Sequence, residues 1–256
     1  MISLTGGQWA LVCLAAFLIG VSKTGIAGLN ILAIAIFASV LPARQSVGAV
    51  LIAFLGGDLV AVMSYRHDAH WQHLWRLFPW AGLGVVIGAL ALGRIPDAGV
   101  RQLIGGILLA LIVFYLLRQY ASRNGDAELI PFTRHPWLIG LTGILAGFTT
   151  MVANASGPIM ILYLLALRLP KVAFIGTAAW FFLFLNLFKL PFSAGLGLIN
   201  ADSFAVALRL IPFAVAGALA GKPILRHVNQ KLFEQLALAL TLVAAIRLLL
   251  QDLTAK

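Results

Sequence analysis

The chain has 256 residues, of which 62% are hydrophobic and 10% are charged, and its mean hydropathy is +1.02. Soluble domains contain about 45–50% apolar and about 25% charged residues, so these values exclude an ordinary soluble enzyme and a disordered chain. The single cysteine, Cys13, excludes a disulfide scaffold. Most of the surface must therefore face lipid. We interpret the net charge of +10 as the Lys/Arg excess of cytoplasmic loops and not as a nucleic-acid-binding surface.

Ten apolar segments follow one another along the chain. The first half contains Trp9–Val21, Leu29–Leu41, Val47–Tyr65, Leu77–Gly93 and Leu103–Leu117. The second half contains Trp137–Phe148, Pro158–Leu167, Val172–Phe192, Phe204–Gly221 and Leu232–Leu250. A membrane span needs about 20 apolar residues. The last three segments of each half are therefore predicted to span a membrane, whereas the first two of each half are short.

The two halves of the sequence repeat each other. Leu41-Pro42 matches Leu169-Pro170 at an offset of 128 positions, which places Asp58 opposite Asn186. Gly84 and Gly88 match Gly217 and Gly221 at an offset of 133 positions. Each half crosses the membrane an odd number of times, so the second half is inverted relative to the first. We therefore predict an all-α polytopic membrane protein with two inverted repeats, each a broken helix pair plus three full transmembrane helices.

The predicted division of the chain follows from this repeat. Residues 1–117 form the first transmembrane repeat, 118–136 a cytoplasmic linker, and 137–256 the second repeat. The predicted loops on one side of the membrane carry ten Lys and Arg residues, and those on the other side carry six. The first side is therefore predicted to be cytoplasmic. Both termini then lie on the non-cytoplasmic side of the cytoplasmic membrane. Residues 1–8 contain no Lys or Arg, so no signal-peptide n-region is predicted.

A glycine-rich polar break separates the two short segments of each half, at residues 20–28 and 147–158. Pro158 suits the first position of the helix that follows the second break. The N-terminus of each such helix carries free N–H groups and about half a positive charge, which favours an anion. The predicted substrate-binding residues are those of the two breaks: Ser22, Lys23, Thr24, Gly25, Thr149, Thr150, Asn154, Ser156 and Gly157. Inverted repeats would bring the two breaks together near the bilayer midplane.

Ionisable residues within membrane segments are candidates for function. Lys23 is predicted to be the counter-charge of the anion, with a helix C-cap as the alternative. Asp58 is predicted to take part in coupling or gating, or to form a buried ion pair with Lys23 or Lys189. Asn186 and Lys189 are candidates for the same coupling or gating role. As alternatives, Asn186 is expected to bond a neighbouring helix, and Lys189 either to contact substrate or to snorkel to the interface.

Several motifs in the two halves resemble a known family. They are Gly-x-x-Lys-Thr-Gly-Ile-x-Gly-Leu in the first break, the Leu-Pro-x-x-x-x-x-Gly that follows it, and the Gly-Asp of residues 57–58. The second half adds Gly-Phe-Thr-Thr-Met-x-Ala-Asn-Ala-x-Gly-Pro. In order along the chain, they resemble the TauE/SafE sulfite exporter family of membrane transporters. The resemblance implies transport of small sulfur-containing anions such as sulfite, sulfoacetate and other sulfonates. The second break has Thr150 or Met151 where the first has Lys23, so the half-sites differ.

The predicted function is a secondary transporter for a small anion, an organosulfonate or sulfite, working by alternating access about a midplane site. The sequence contains no Gly-x-x-x-x-Gly-Lys-Ser/Thr motif for ATP, so either protons or another coupling ion would supply the energy, or transport is passive. No cofactor, metal or catalytic role is predicted. The alternatives are an anion channel, a transporter of another small carboxylate or sulfur anion, and an assembly factor. The small-residue motifs at Gly84 and Gly217 predict close helix packing, with a homodimer as the alternative.

Overall fold

The computed structural model describes residues 4–41, 43–92, 113 and 135–250. Every regular element within these ranges is a helix, and no strand occurs there. The helices are α1 (Gly6–Thr24), α2 (Asn30–Val40), α3 (Ala43–Tyr65), α4 (Trp71–Ala91), α5 (Pro136–Ala153), α6 (Ser156–Ala166), α7 (Lys171–Gly195), α8 (Ala201–His227) and α9 (Gln230–Leu250). The predicted segment Leu103–Leu117 and linker residues 118–134 lie outside the described residues, apart from Val113.

Six of the described helices are long and apolar enough to cross a membrane, namely α1, α3, α4, α5, α7 and α8. Large apolar side chains on them are exposed, such as Met63 at 77% and Trp75 at 68%. Lipid is the solvent that such a surface requires. The prediction of an all-α protein with several membrane spans is confirmed.

The first helix of each broken pair is longer than the sequence predicted. Helix α1 has 19 residues and α5 has 18, whereas α2 and α6 have 11 each. The expectation that both members of each pair are short was therefore wrong for α1 and α5. Polar residues are accommodated in these two buried helices, because their hydroxyls donate to backbone carbonyls. Thr24 Oγ1 donates to the Gly20 oxygen at 3.4 Å, and Thr149 Oγ1 donates to the Leu145 oxygen at 2.8 Å.

Two compact units share the helices. The first unit comprises Met1–Leu74 and Pro170–Leu236 and contains α1, α2, α3, α7 and α8. An apolar cluster in this unit is formed by side chains of α1, α2, α3 and α8. The second unit comprises Trp75–Leu169 and Ala237–Lys256 and contains α5, α6 and most of α4. Each unit thus combines residues from both halves of the sequence.

Glycines hold α1 against α8 in the first unit. A Cβ atom on Gly20 would clash with the Ala214 carbonyl oxygen, and one on Gly217 would clash with the Phe17 carbonyl oxygen. A Cβ atom on Gly221 would clash with the Thr24 hydroxyl. The backbones of the two helices therefore approach too closely for any side chain at these positions. The packing role predicted for Gly217 and Gly221 is confirmed.

The same contacts recur between α5 and α4 in the second unit. A Cβ atom on Gly147 would clash with the Ala81 carbonyl oxygen, and one on Gly84 would clash with the Ile144 carbonyl oxygen. A Cβ atom on Gly88 would lie 2.9 Å from Met151 Cβ. Each residue on α5 is offset by 127 positions from its counterpart on α1 (Gly20 to Gly147), and each on α8 by 133 positions from its counterpart on α4 (Gly84 to Gly217). The packing predicted for Gly84 and Gly88 is confirmed as well.

Helices α3 and α7 run antiparallel in the first unit. Along α3, Gly48 contacts Leu198, Asp58 contacts Asn186, and Tyr65 contacts Gly176. Residues later in α3 contact residues earlier in the α7 region, which is the pattern of an antiparallel pair. These two helices correspond to each other in the sequence repeat, so repeat-related helices run in opposite directions here.

Candidate functional site

A buried ion pair joins α1 to α3. Lys23 lies in the last turn of α1, and its Nζ is 2.7 Å from Asp58 Oδ1. Lys23 is 8% exposed and Asp58 is 0% exposed. Gly57 leaves room for the lysine, because a Cβ atom there would lie 3.2 Å from Lys23 Cγ. The structure therefore contains the Lys23–Asp58 pair that the sequence raised as one of two alternatives.

Asn186 of α7 is a second partner of the Asp58 carboxylate. Its Nδ2 donates to Asp58 Oδ2 at 2.7 Å. Asn186 is buried, and it bonds a neighbouring helix, as expected from the sequence. The two residues correspond at the 128-position offset, so a residue and its repeat partner are in direct contact.

Two aromatic rings enclose the Lys23 ammonium. Its Nζ lies 4.5 Å from the centroid of the Phe54 ring and 4.3 Å from that of the Phe182 ring. An ammonium group over the face of a desolvated ring gains about 2 kcal/mol. Phe54 and Phe182 were missed in the sequence analysis, although they too correspond at the 128-position offset. That offset was the signal that could have identified them, since each precedes Asp58 or Asn186 by one helical turn.

Lys189 lies close to the same cluster. It follows Asn186 by three residues on α7, is 0% exposed, and interacts electrostatically with both Asp58 and Lys23. The alternative that Lys189 snorkels to the interface was wrong, because its whole side chain is buried on the face of α7 that carries Asn186. Lys23, Asp58 and Lys189 are the charged side chains that are buried within the described ranges.

The first break is shorter than predicted and begins after Lys23. Helix α1 continues to Thr24, so the residues outside a helix are 25–29, with Gly28 at φ 99°. The Thr24 hydroxyl donates to the Ala218 oxygen at 2.6 Å, and the Thr24 carbonyl accepts from Tyr65 Oη at 2.9 Å. Thr24 therefore anchors the end of α1 to α8 and α3.

The other predicted residues of this break are also buried. Ser22 Oγ donates to Asn30 Oδ1 at 3.4 Å, which links α1 to the first residue of α2. A Cβ atom on Gly25 would lie 2.8 Å from the Gly221 oxygen, so this glycine is required for close packing. Asn30 was missed in the sequence analysis, since its polar side chain stands at the start of an apolar segment.

The second break belongs to the second unit. Helix α5 continues to Ala153, and Asn154 adopts a left-handed conformation at φ 53°. Helix α6 begins at Ser156, which makes Pro158 its third residue and not its first, as the sequence had suggested. The predicted residues here are all buried: Thr149, Thr150, Asn154, Ser156 and Gly157. The convergence of this break with the first one stays a prediction.

Membrane-spanning helices around buried charges define an α-helical, multi-span membrane protein with an ionic site inside its spans. A sequence model of the sulfite exporter TauE/SafE family matches residues 12–248. The chain belongs to this family of membrane transporters for sulfite and related anions, as its motifs suggested. No curated protein matches the chain, and no solved structure matches it.

Proposed function

We propose that the protein is a secondary transporter of a small anion, an organosulfonate or sulfite, across the cytoplasmic membrane. The observation that carries this proposal is the buried Lys23 ammonium beside Asp58 at the end of a membrane-spanning helix. In an apolar interior, one ammonium group attracts an anion at 4 Å by about 4 kcal/mol at an effective dielectric constant of about 20. Membership of a sulfite exporter family supports the sulfur anion as substrate.

The anion would bind by competing with Asp58 for Lys23. The carboxylate is already held at 2.7 Å by the ammonium and at 2.7 Å by the Asn186 amide. An oxyanion presents the same kind of acceptor oxygen to the same donors. Phe54 and Phe182 would exclude water around the ammonium and strengthen either pairing.

Competition for Lys23 supplies a mechanism of coupling. A carboxylate that loses its ammonium partner in an apolar interior is strongly destabilised unless it takes up a proton. Anion binding at Lys23 would therefore accompany protonation of Asp58, and release of the anion would restore the ion pair. Asn186 would hold the Asp58 side chain in place in both states. This mechanism makes the proton the coupling ion.

Alternating access is the mode of transport that we propose for two inverted repeats. The antiparallel direction of α3 and α7 supports inversion, because these helices correspond in the sequence repeat. The matched glycine contacts of α1 with α8 and of α5 with α4 support a two-fold relation between the halves. We keep both termini on the non-cytoplasmic side, an assignment that rests on the distribution of Lys and Arg.

Ligand-dependent thermal stability tests the proposed site. The detergent-purified protein would be heated with sulfite, sulfoacetate, taurine, sulfate, acetate or chloride. A ligand at 100 times its Kd stabilises the folded state by about 2.7 kcal/mol, so one sulfur anion should raise the Tm. The shift should vanish in Lys23→Met and persist in Lys231→Met, which removes an exposed lysine. Equal shifts in both variants would contradict the site, and a shift only with acetate would replace the sulfur anion by a carboxylate.

A further inference from the structure

Helix α7 carries a buried polar face that extends beyond the ion pair. Asn186, Lys189 and Ser193 are 1%, 0% and 0% exposed, respectively. They follow one another at spacings of three and four residues, which places them on one face of the helix. The function proposed above uses only the first of them, through its bond to Asp58.

The Ser193 hydroxyl is the informative member of this face. Its Oγ is buried and makes no hydrogen bond within the described residues. A buried hydroxyl left without a partner is destabilising, and there is no water in a bilayer core to compensate it. The side chain of a helical residue leans towards the preceding turn, so this hydroxyl leans towards Lys189. Lys189 and Ser193 therefore lie one helical turn apart on the same buried face of α7.

The Ser193 hydroxyl is separated from the Lys23 site along the helix axis. A helix rises 1.5 Å per residue, so Ser193 lies about 10 Å along α7 from Asn186. Because α3 and α7 are antiparallel, this displacement leads away from Tyr65 and Thr24, which lie at the other end of the cluster. Helix α7 therefore carries a buried hydroxyl beyond the Lys23 site, with Lys189 between the two in sequence.

We propose that Lys189 and Ser193 form a second binding station for a small oxyanion, between the Lys23 site and the end of α7. This inference rests on the proposed function, because the ligand is the same anion on its way to or from Lys23. Both groups donate hydrogen bonds, so they recognise the oxygen atoms of a sulfite or sulfonate group. Lys189 also attracts Asp58, and it would pass the anion towards Lys23 as Asp58 takes up its proton.

Equilibrium binding of radiolabelled sulfite and sulfoacetate to the detergent-purified full chain tests the second station. The wild-type protein should bind one of these probes in two classes of site. The variant Lys23→Met/Asp58→Asn should lose the tight class and keep the weak one. Ser193→Ala should keep the tight class and raise the Kd of the weak class about three- to tenfold, the effect of one lost hydrogen bond. Lys189→Met should abolish the weak class.

The matched control is Thr142→Val, which removes a buried hydroxyl that donates to the Leu138 oxygen within its own helix. It should leave both classes of site unchanged. Ser193→Ala removes a single oxygen atom, so it keeps the test valid if Lys189→Met fails to fold. A single class of site that Ser193→Ala leaves unchanged would overturn the second station and leave the proposed function standing. Absence of saturable binding of both probes to the wild-type protein would overturn the proposed function and this station with it.

Discussion

Replacing both partners of the Lys23–Asp58 pair should cost far less stability than replacing either one. Lys23→Met leaves a buried carboxylate, and Asp58→Asn leaves a buried ammonium between two phenylalanine rings. The double variant Lys23→Met/Asp58→Asn leaves neither charge. It also removes the attraction between Lys189 and Asp58 and the repulsion between Lys189 and Lys23, and these two effects oppose each other.

The magnitudes follow from the geometry of the pair. At 2.7 Å the two charges attract each other by about 6 kcal/mol at an effective dielectric constant of about 20. Desolvation of the two ions offsets much of this attraction, so loss of one partner costs about 3–5 kcal/mol, whereas loss of both is close to neutral. Asp58→Asn should cost more than Lys23→Met, because in the latter the carboxylate keeps Asn186 and the attraction of Lys189.

A double-mutant cycle measures this coupling. The four proteins would be unfolded by titration with a denaturing detergent, followed by the fluorescence of the six tryptophans. The free energies of unfolding should show a coupling of at least about 3 kcal/mol between the two sites. Additive costs, with the double variant less stable than either single variant, would refute the reasoning that these residues form a buried pair.

Three further predictions follow from contacts of the described residues. Gly20→Ala should lower the free energy of unfolding by about 1–3 kcal/mol, because the new Cβ atom clashes with α8. Gly195→Ala should be close to neutral in the same titration, because a Cβ atom there meets none of the described atoms within 4 Å. Tyr65→Phe should cost about 1 kcal/mol of unfolding free energy through its lost bond to Thr24. Tyr163→Phe should be neutral or stabilising, because the Tyr163 hydroxyl has no hydrogen-bond partner among the residues that the structure describes; equal costs would contradict these assignments. A cysteine introduced at either terminus of the protein should react with an impermeant thiol reagent that is added to intact cells. Protection of both cysteines from the reagent would reverse the proposed orientation.

The sequence repeat predicted a large part of the site. The 128-position offset paired Asp58 with Asn186, and the expense of charge in a membrane singled out Lys23 and Asp58. The same offset also pairs Phe54 with Phe182, but phenylalanine in an apolar segment carries no distinguishing signal of its own. That Asp58 and Asn186 touch each other depends on tertiary packing, which the offset alone did not show.

The helix ends and the burial of Lys189 were harder to predict. A run of Gly, Ser, Thr and Lys resembles a loop in sequence, yet the hydroxyls of Thr24 and Thr149 donate to backbone carbonyls, so both residues are accommodated in a buried helix. Lys189 is three residues from Asn186, and spacing alone did not show that its face of α7 is covered by other helices. The division into two units that each combine both halves depends on helix contacts remote in sequence.

Counterflow of sulfite or sulfoacetate into proteoliposomes tests the central claim, that Lys23 and Asp58 form the anion site of a carrier. The wild-type protein should show saturable counterflow. The neutral double variant Lys23→Met/Asp58→Asn, once shown to be folded, should show none, and Lys231→Met should retain it. Counterflow by the double variant at the wild-type rate would contradict the site. Unitary currents without counterflow would contradict the carrier mechanism and identify an anion channel.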